Sequence, residues 1–355
     1  MKKYNINDKA VNTRKPDILK ESGGSKLQNI EIMRFIGMLL IMGHHLYHIG
    51  YLYGHGQDGL YLSNSGWVWV DFFFILTGAF TYNHYTHKQT EVQDCGSEGL
   101  RYTFHKFRKF LPYTTIAILL EYVMRNIDAL ANGNWKDFFL GFRALPYEVM
   151  YLSASGIISH RLGPIWFLSA MFIVLPLIVY IMNKHPELWK ILAFICPIVY
   201  FGRMGGINGV SDWPNYMLRA FACISLGSFA YMVSEKIGKR PYGTLKKCML
   251  TFFEVSSCMA AVYISFYNVA ELIFLLELLF FVMVTLMLSG VTYSSTINFK
   301  FVKILGEISM PMFVFHWVVG SIVVYFTEDL LLRAFMYYAY TIIISVVVGI
   351  PSKQK

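Results

Sequence analysis

Apolar runs about as long as a membrane helix recur along almost the whole chain, and this limits the fold more than any single motif. About 20 predominantly apolar residues cross the hydrocarbon core of a bilayer. Runs of that kind lie at roughly 33–50, 66–84, 110–128, 164–183, 189–203, 215–235, 248–266, 269–290, 304–326 and 333–350 of the 355 residues. The fifth is short and the link between the seventh and eighth is nearly absent, so ten spans are predicted and nine also fit. Charged residues make up 15% of the chain and hydrophobic ones 55%, whereas soluble domains carry about 25% charged residues. The prediction is an all-α polytopic membrane protein. A disordered chain, a collagen-like fibre and a small disulfide scaffold are excluded on composition.

The formal net charge of +9 would raise the question of nucleic acid in a soluble protein. Here the charge is a topology signal and no nucleic-acid partner is expected, because basic residues collect in cytoplasmic loops. Seven of the 31 Lys and Arg (Arg125, Lys136, Arg143, Arg161, Arg203, Arg219 and Arg333) lie within spans or on one side. The other 24 fall on the side that holds the N-terminus, so both termini are predicted to be cytoplasmic. Residues 1–29 read as a polar basic segment without a cleavable signal pattern, 30–350 as the membrane domain and 351–355 as a cytoplasmic tail. The five cysteines have no metal-ligand spacing, and no disulfide is expected. Gly205, Gly206 and Gly209 follow no strand-turn-helix pattern that would cradle a phosphate.

Ionisable residues inside a bilayer are costly and mark function by default. The first span carries Glu31, Arg34, His44, His45 and His48. Arg34 and His45 are 11 residues apart, about 20° past three helical turns and about 16 Å along the axis. They share one helix face, Arg34 at the inner mouth and His45 in the outer half. Asp71, near the outer end of the second span, is expected at the depth of His45, where a carboxylate would orient the imidazole as a general base. Pairing of Asp71 with a helix backbone or with Arg219 is the alternative. His44 and His48 form an i, i+4 pair with no third ligand in view, so no metal is predicted. His316 in the ninth span is either catalytic or a packed histidine. Glu121 and Arg125 are one turn apart and can neutralise each other, and Glu254, Glu271 and Glu277 are buried acids or pore-lining ones. Lys106, Arg108 and Lys109 precede the third span as a basic cluster that enforces topology or receives a phosphorylated ligand.

Together these strings resemble the acyltransferase 3 family of membrane O-acyltransferases. Glu31-Ile-Met-Arg34 followed after ten residues by His45 is similar to its acidic-x-x-Arg lead-in and Arg-x10-His signature. Val70-Asp71-Phe72-Phe73 through Thr77-Gly78 resembles its Gly-Val-Asp-Leu-Phe-Phe-Val-Leu-Ser-Gly block, with Trp69 and Thr77 as departures. Lys106-x-x-Lys109-Phe-Leu-Pro112 is similar to Arg-x-x-Arg-Ile-x-Pro, with lysine at both arginine positions, which weakens the argument for bidentate phosphate binding because lysine acts as a point charge. Pro164-Ile-Trp-Phe-Leu-Ser169 and the late block from Leu305 to His316 complete the set in order.

The resemblance implies transfer of an acyl group, usually acetyl, from cytoplasmic acetyl-CoA to a hydroxyl of a glycan or lipid-linked sugar beyond the membrane. Arg34, Lys106, Arg108 and Lys109 would then hold the CoA phosphates. His45 would take the hydroxyl proton or briefly carry the acyl group, and Asp71 would orient it, with Glu31, Ser169 and His316 in secondary or structural roles. It also implies a multi-pass protein of a bacterial plasma membrane, in contact with its lipids. Tyr51, Tyr53, Tyr61, Trp135, Tyr147 and Tyr151 are candidates for stacking on sugar rings or for interfacial anchoring. Two other classes fit the composition: a transporter with a His/Asp/Glu relay, which predicts repeated halves that the sequence lacks, and a non-catalytic scaffold.

Overall fold

The computed structural model describes residues 28–52, 62–87, 94–157, 163–204, 215–267 and 272–349. The basic N-terminal segment, Tyr53, Tyr61, His160, the 205–209 glycine loop, Glu271 and the C-terminal lysines lie outside the described residues, as do the side chains of Tyr51 and Arg203.

Among the described residues every regular element is a helix. In chain order they are α1 (Gln28–Leu52), α2 (Trp69–Thr86), α3 (Cys95–Arg125), the short α4 (Ile127–Ala131), α5 (Trp135–Gly141) and α6 (Leu145–Val149), then α7 (Ile165–Lys184), α8 (Pro186–Met204), α9 (Asn215–Gly238), α10 (Thr244–Ile264), α11 (Ile273–Ser289), α12 (Lys300–Val323) and α13 (Leu330–Gly349). A long helix stands at each predicted apolar run. Six of them, α1, α7, α9, α10, α12 and α13, are long and apolar enough by length and composition to cross a membrane, and α11 is a shorter apolar helix. The chain is a multi-pass membrane protein.

Close packing of the helices depends on small residues, as expected where lipid offers no hydrophobic drive. A Cβ on Gly78 of α2 would lie 1.9 Å from the carbonyl oxygen of Ile224 in α9, and one on Gly227 of α9 would lie 1.9 Å from that of Ile75. The two helices therefore meet backbone to backbone. On the other side of the bundle α12 packs against α1, α3 and α13.

Three departures from the predicted pattern shape the site. First, α3 starts 15 residues before its apolar run, and its 31 residues extend about 46 Å. Asp94 caps this extension, accepting from the backbone N–H of Gly96 at 3.0 Å and of Ser97 at 3.2 Å, and the helix continues through Pro112. Second, the 62–68 segment folds down along α1 instead of crossing above it. Gly66 lies so close to the Leu40 carbonyl that a Cβ would come within 2.0 Å, and Trp69 lies against Gly37. The end of α10 satisfies the polar groups of this segment: Ser63 Oγ donates to the Ser265 carbonyl at 3.0 Å and Trp69 Nε1 to Ser265 Oγ at 2.7 Å. Third, the segment that follows α3, where Tyr147 and Tyr151 are candidates for sugar stacking or interfacial anchoring, returns into the bundle around Tyr151, whose φ of 54° is left-handed. The Tyr151 hydroxyl meets Thr114 of α3, and its carbonyl accepts from Ser169 Oγ at 2.6 Å.

Candidate active site

Helix periodicity places Glu31, Arg34 and His45 on α1, and the structure gives each a defined neighbour. Arg34 Nη1 donates to Glu31 Oε2 at 2.7 Å, with both side chains about one quarter exposed. The Glu31 carboxylate lies over Gly306 of α12, where a Cβ would come within 1.8 Å of Oε2. The acidic-x-x-Arg lead-in and the late Leu305-Gly306 pair thus form one joint, because any side chain at 306 would displace the acid that holds Arg34. One of the five guanidinium donors is engaged in this pair.

About 12 Å higher on α1 than Gly37, His45 is half-buried. Its Nδ1 lies 2.8 Å from Nε2 of His316, which is fully buried in α12. His316 Nδ1 in turn lies 2.9 Å from the Phe313 carbonyl and 3.1 Å from that of Met312. The Trp317 ring stands edge-on to His45 at 5.2 Å between centroids. Behind it, Glu121 of α3 accepts from Trp317 Nε1 at 3.1 Å, Ser321 Oγ at 2.9 Å and Arg125 Nε at 2.8 Å. The expected Glu121–Arg125 neutralisation is present. Beyond it, Glu121 ties α3 to α12 and holds one wall of the histidine site. That role has no local sequence signal, because its partners lie about 200 residues away.

The expected His45–Asp71 pair does not form. Both Asp71 oxygens accept from Arg219 of α9, Oδ1 from Nε at 2.6 Å and Oδ2 from Nη2 at 2.7 Å, with both residues buried. The physical reason is the descent of residues 62–68. With Trp69 beside Gly37, α2 begins about two turns of α1 short of His45, whereas level helix ends would put Asp71 beside it. Of the two alternatives, the Arg219 partnership is the one present. The guanidinium also lies 4.7 Å from the Trp67 ring centroid and 5.6 Å from that of Trp166. Glu277 and Cys223 approach the same carboxylate, with ligand-type atoms of the three residues within 4.8 Å of one another. The Arg219 guanidinium supplies the positive charge that this buried group requires.

The other predicted residues divide. Lys106, Arg108 and Lys109 lie within helix α3 and not in a loop before it. Lys106 is half-buried with Nζ 5.0 Å from the centroid of the Tyr102 ring, and the Tyr102 hydroxyl lies 3.1 Å from Thr81 Oγ1 of α2. Lys109 is one turn along from it and exposed, and the exposed Arg108 projects from a different face. Ser169 is structural: fully buried, it donates to the Tyr151 carbonyl and accepts from the Ala154 N–H at 2.8 Å. Tyr151 itself is buried, which removes it from the sugar-stacking candidates, while Trp135 and Tyr147 are exposed. His44 Nδ1 lies 3.0 Å from the Asn64 carbonyl, and its Nε2 lies 3.1 Å from Nε2 of His48.

With two imidazoles in contact, one enclosed and one accessible, the site can hold and move a proton at a ring nitrogen or carry a group there. A family model described as an acyltransferase domain matches residues 27–350 of this chain. Searches of curated proteins and of solved structures gave no match.

Proposed function

The chain belongs to the acyltransferase 3 family, and on that footing we propose that it moves an acyl group from cytoplasmic acyl-CoA to a hydroxyl of an extracytoplasmic or membrane-linked glycan, with acetyl as the acyl group. The observation that carries this reading is the pairing of a half-buried His45 with an enclosed His316 on the α1 face that also bears Arg34.

In this reading ten helices span a bacterial plasma membrane with both termini cytoplasmic. Arg34 and the Lys106–Lys109 face of α3 hold the CoA phosphates, and Arg108, on another face of α3, is left out. The pantetheine arm rises along α1 over the roughly 16 Å that separate Arg34 from His45. Met38, Ile41 and Met42 fill that stretch of α1 and are fully buried, so the arm enters as these side chains move aside, for which unbranched methionines are suited. His45 takes the acceptor hydroxyl proton as the oxygen forms its bond to the thioester carbonyl carbon. The carbon–sulfur bond then breaks, and the leaving thiolate recovers the proton from His45. In the covalent variant the uncharged imidazole nitrogen attacks the thioester carbonyl carbon first and expels the CoA thiolate; the hydroxyl oxygen then attacks the acyl-imidazolium, the carbon–nitrogen bond breaks, and the hydroxyl proton neutralises the thiolate. Asp71 takes no part in either route.

The test is base-labile ester on envelope glycans of cells expressing wild type, His45→Ala or empty vector. Ester that appears with wild type and vanishes with His45→Ala, at equal protein in the membrane, is the expected result. Ester at equal levels in wild type and His45→Ala would remove His45 from the chemistry.

A further inference from the structure

We propose that His316 is a positioning residue that fixes the tautomer of His45 and thereby selects Nε2 as its reacting atom. The kinetic consequence rests on the transferase reading above; the tautomer assignment does not.

His316 Nδ1 lies within hydrogen-bond distance of two main-chain carbonyls, those of Met312 and Phe313. Carbonyl oxygens only accept, so Nδ1 must carry the proton. In an uncharged imidazole the second nitrogen then bears a free lone pair. That nitrogen, His316 Nε2, lies 2.8 Å from His45 Nδ1. His45 Nδ1 is therefore the donor, and in the uncharged ring His45 Nε2 keeps its lone pair. The ring planes are within 11° of parallel and their centroids are 5.1 Å apart, as for a hydrogen bond running in the common plane of both rings.

Among the described residues no other group hydrogen-bonds either ring, and the His44 ring lies 5.5 Å from that of His45, tilted by 57°. His316 is fully buried, with Phe313 and Tyr337 rings at 6.1 and 6.5 Å, and the Glu121 clamp holds Trp317 in place beside His45. His45 is the accessible member of the pair. When Nε2 gains a proton or an acyl group the ring becomes cationic, and its Nδ1–H bond to His316 becomes charge-assisted and stronger. His316 thus performs for His45 the orienting task that a carboxylate performs in a hydrolase triad, without placing a negative charge beside the acyl donor. The anchor of the tautomer is the α12 backbone itself.

The experiment uses full-length protein with ¹⁵N-labelled histidine in lipid bilayers, read by solid-state NMR, with the His45 signals assigned by difference from His45→Gln. The expected wild-type spectrum shows His45 protonated at Nδ1 and bare at Nε2. His316→Phe should shift the ring toward the Nε2-protonated form, and His316→Gln, whose side-chain carbonyl can accept from Nδ1–H, should preserve the wild-type tautomer. In turnover, His316→Phe should lower kcat by about 10²–10⁴-fold with KM nearly unchanged, and His316→Gln should recover at least tenfold of that loss. A merely structural residue would lower folded yield without moving the tautomer. A wild-type His45 protonated at Nε2, or a tautomer unmoved by His316→Phe, overturns the proposal. Absence of acyl transfer by wild type together with the Nδ1-protonated spectrum would defeat the transferase reading and leave the tautomer assignment standing.

Discussion

Asp71 shows how far a single residue can be read from its neighbours in sequence. Its position in a Trp-Val-Asp-Phe-Phe string marked it as an acid inside a membrane helix, and such an acid needs a partner. Which partner it takes depends on where α2 begins, and that is decided by contacts between Gly66 and Leu40 and between Trp69 and Gly37 that no local pattern announces. Arg34 and His45 were legible because one straight helix carries both. His316 was visible as a candidate, but its contact with His45 spans 271 residues. Both members of the Asp71–Arg219 pair are buried, and breaking such a pair by removing one partner costs about 3–5 kcal/mol. Asp71→Asn should therefore lower the thermal unfolding temperature and folded yield strongly while transfer per folded molecule persists. Asp71→Leu combined with Arg219→Met should restore much of the loss. A kcat loss in Asp71→Asn at wild-type stability would return Asp71 to the chemistry.

At the scale of the element, apolar periodicity located the helices well where it was the only force at work. Predicted and observed limits agree within a few residues for α7, α9 and α13. It failed for α3, whose first 15 residues are held by a cap and by packing of Gly99 against the Pro176 carbonyl, neither of which is apolar. The Asp94-x-x-Ser97 string was the available signal. Hydrogen bonds from the Ser97 side chain and from the Ser97 and Gly96 backbone pull the Asp94 carboxyl below its ordinary value. A depressed carboxylate contributes stability above its unfolded pKa and loses it as pH falls through the folded one. Amide exchange at Gly96 and Ser97 should therefore be slow at neutral pH, accelerate as pH drops below the ordinary carboxylate range once intrinsic rates are divided out, and be fast at neutral pH in Asp94→Ala. Protection that is the same in wild type and Asp94→Ala at neutral pH would show that packing alone holds the first turn.

For the molecule as a whole, charge asymmetry predicted an orientation. The exposed Lys239, between α9 and α10, should face the cytoplasm, and the exposed Trp135 the opposite side. With Lys239→Cys and Trp135→Cys on a cysteine-free background, a membrane-impermeant maleimide should label position 135 in intact cells and position 239 only in inverted vesicles. The reverse pattern would turn the model over and put Arg34 at the outer mouth. The bundle also has a history in time. His45 leaves the ribosome 271 residues before His316, and at about 5–20 residues per second that is a wait of roughly 15 to 55 seconds. During it α1 sits in the membrane with an unoriented imidazole and a Glu31 that has no Gly306 to lie on. On the proposed function the site therefore matures late, and a chain cut short before α12 would lack both the partner of His45 and the seat of Glu31.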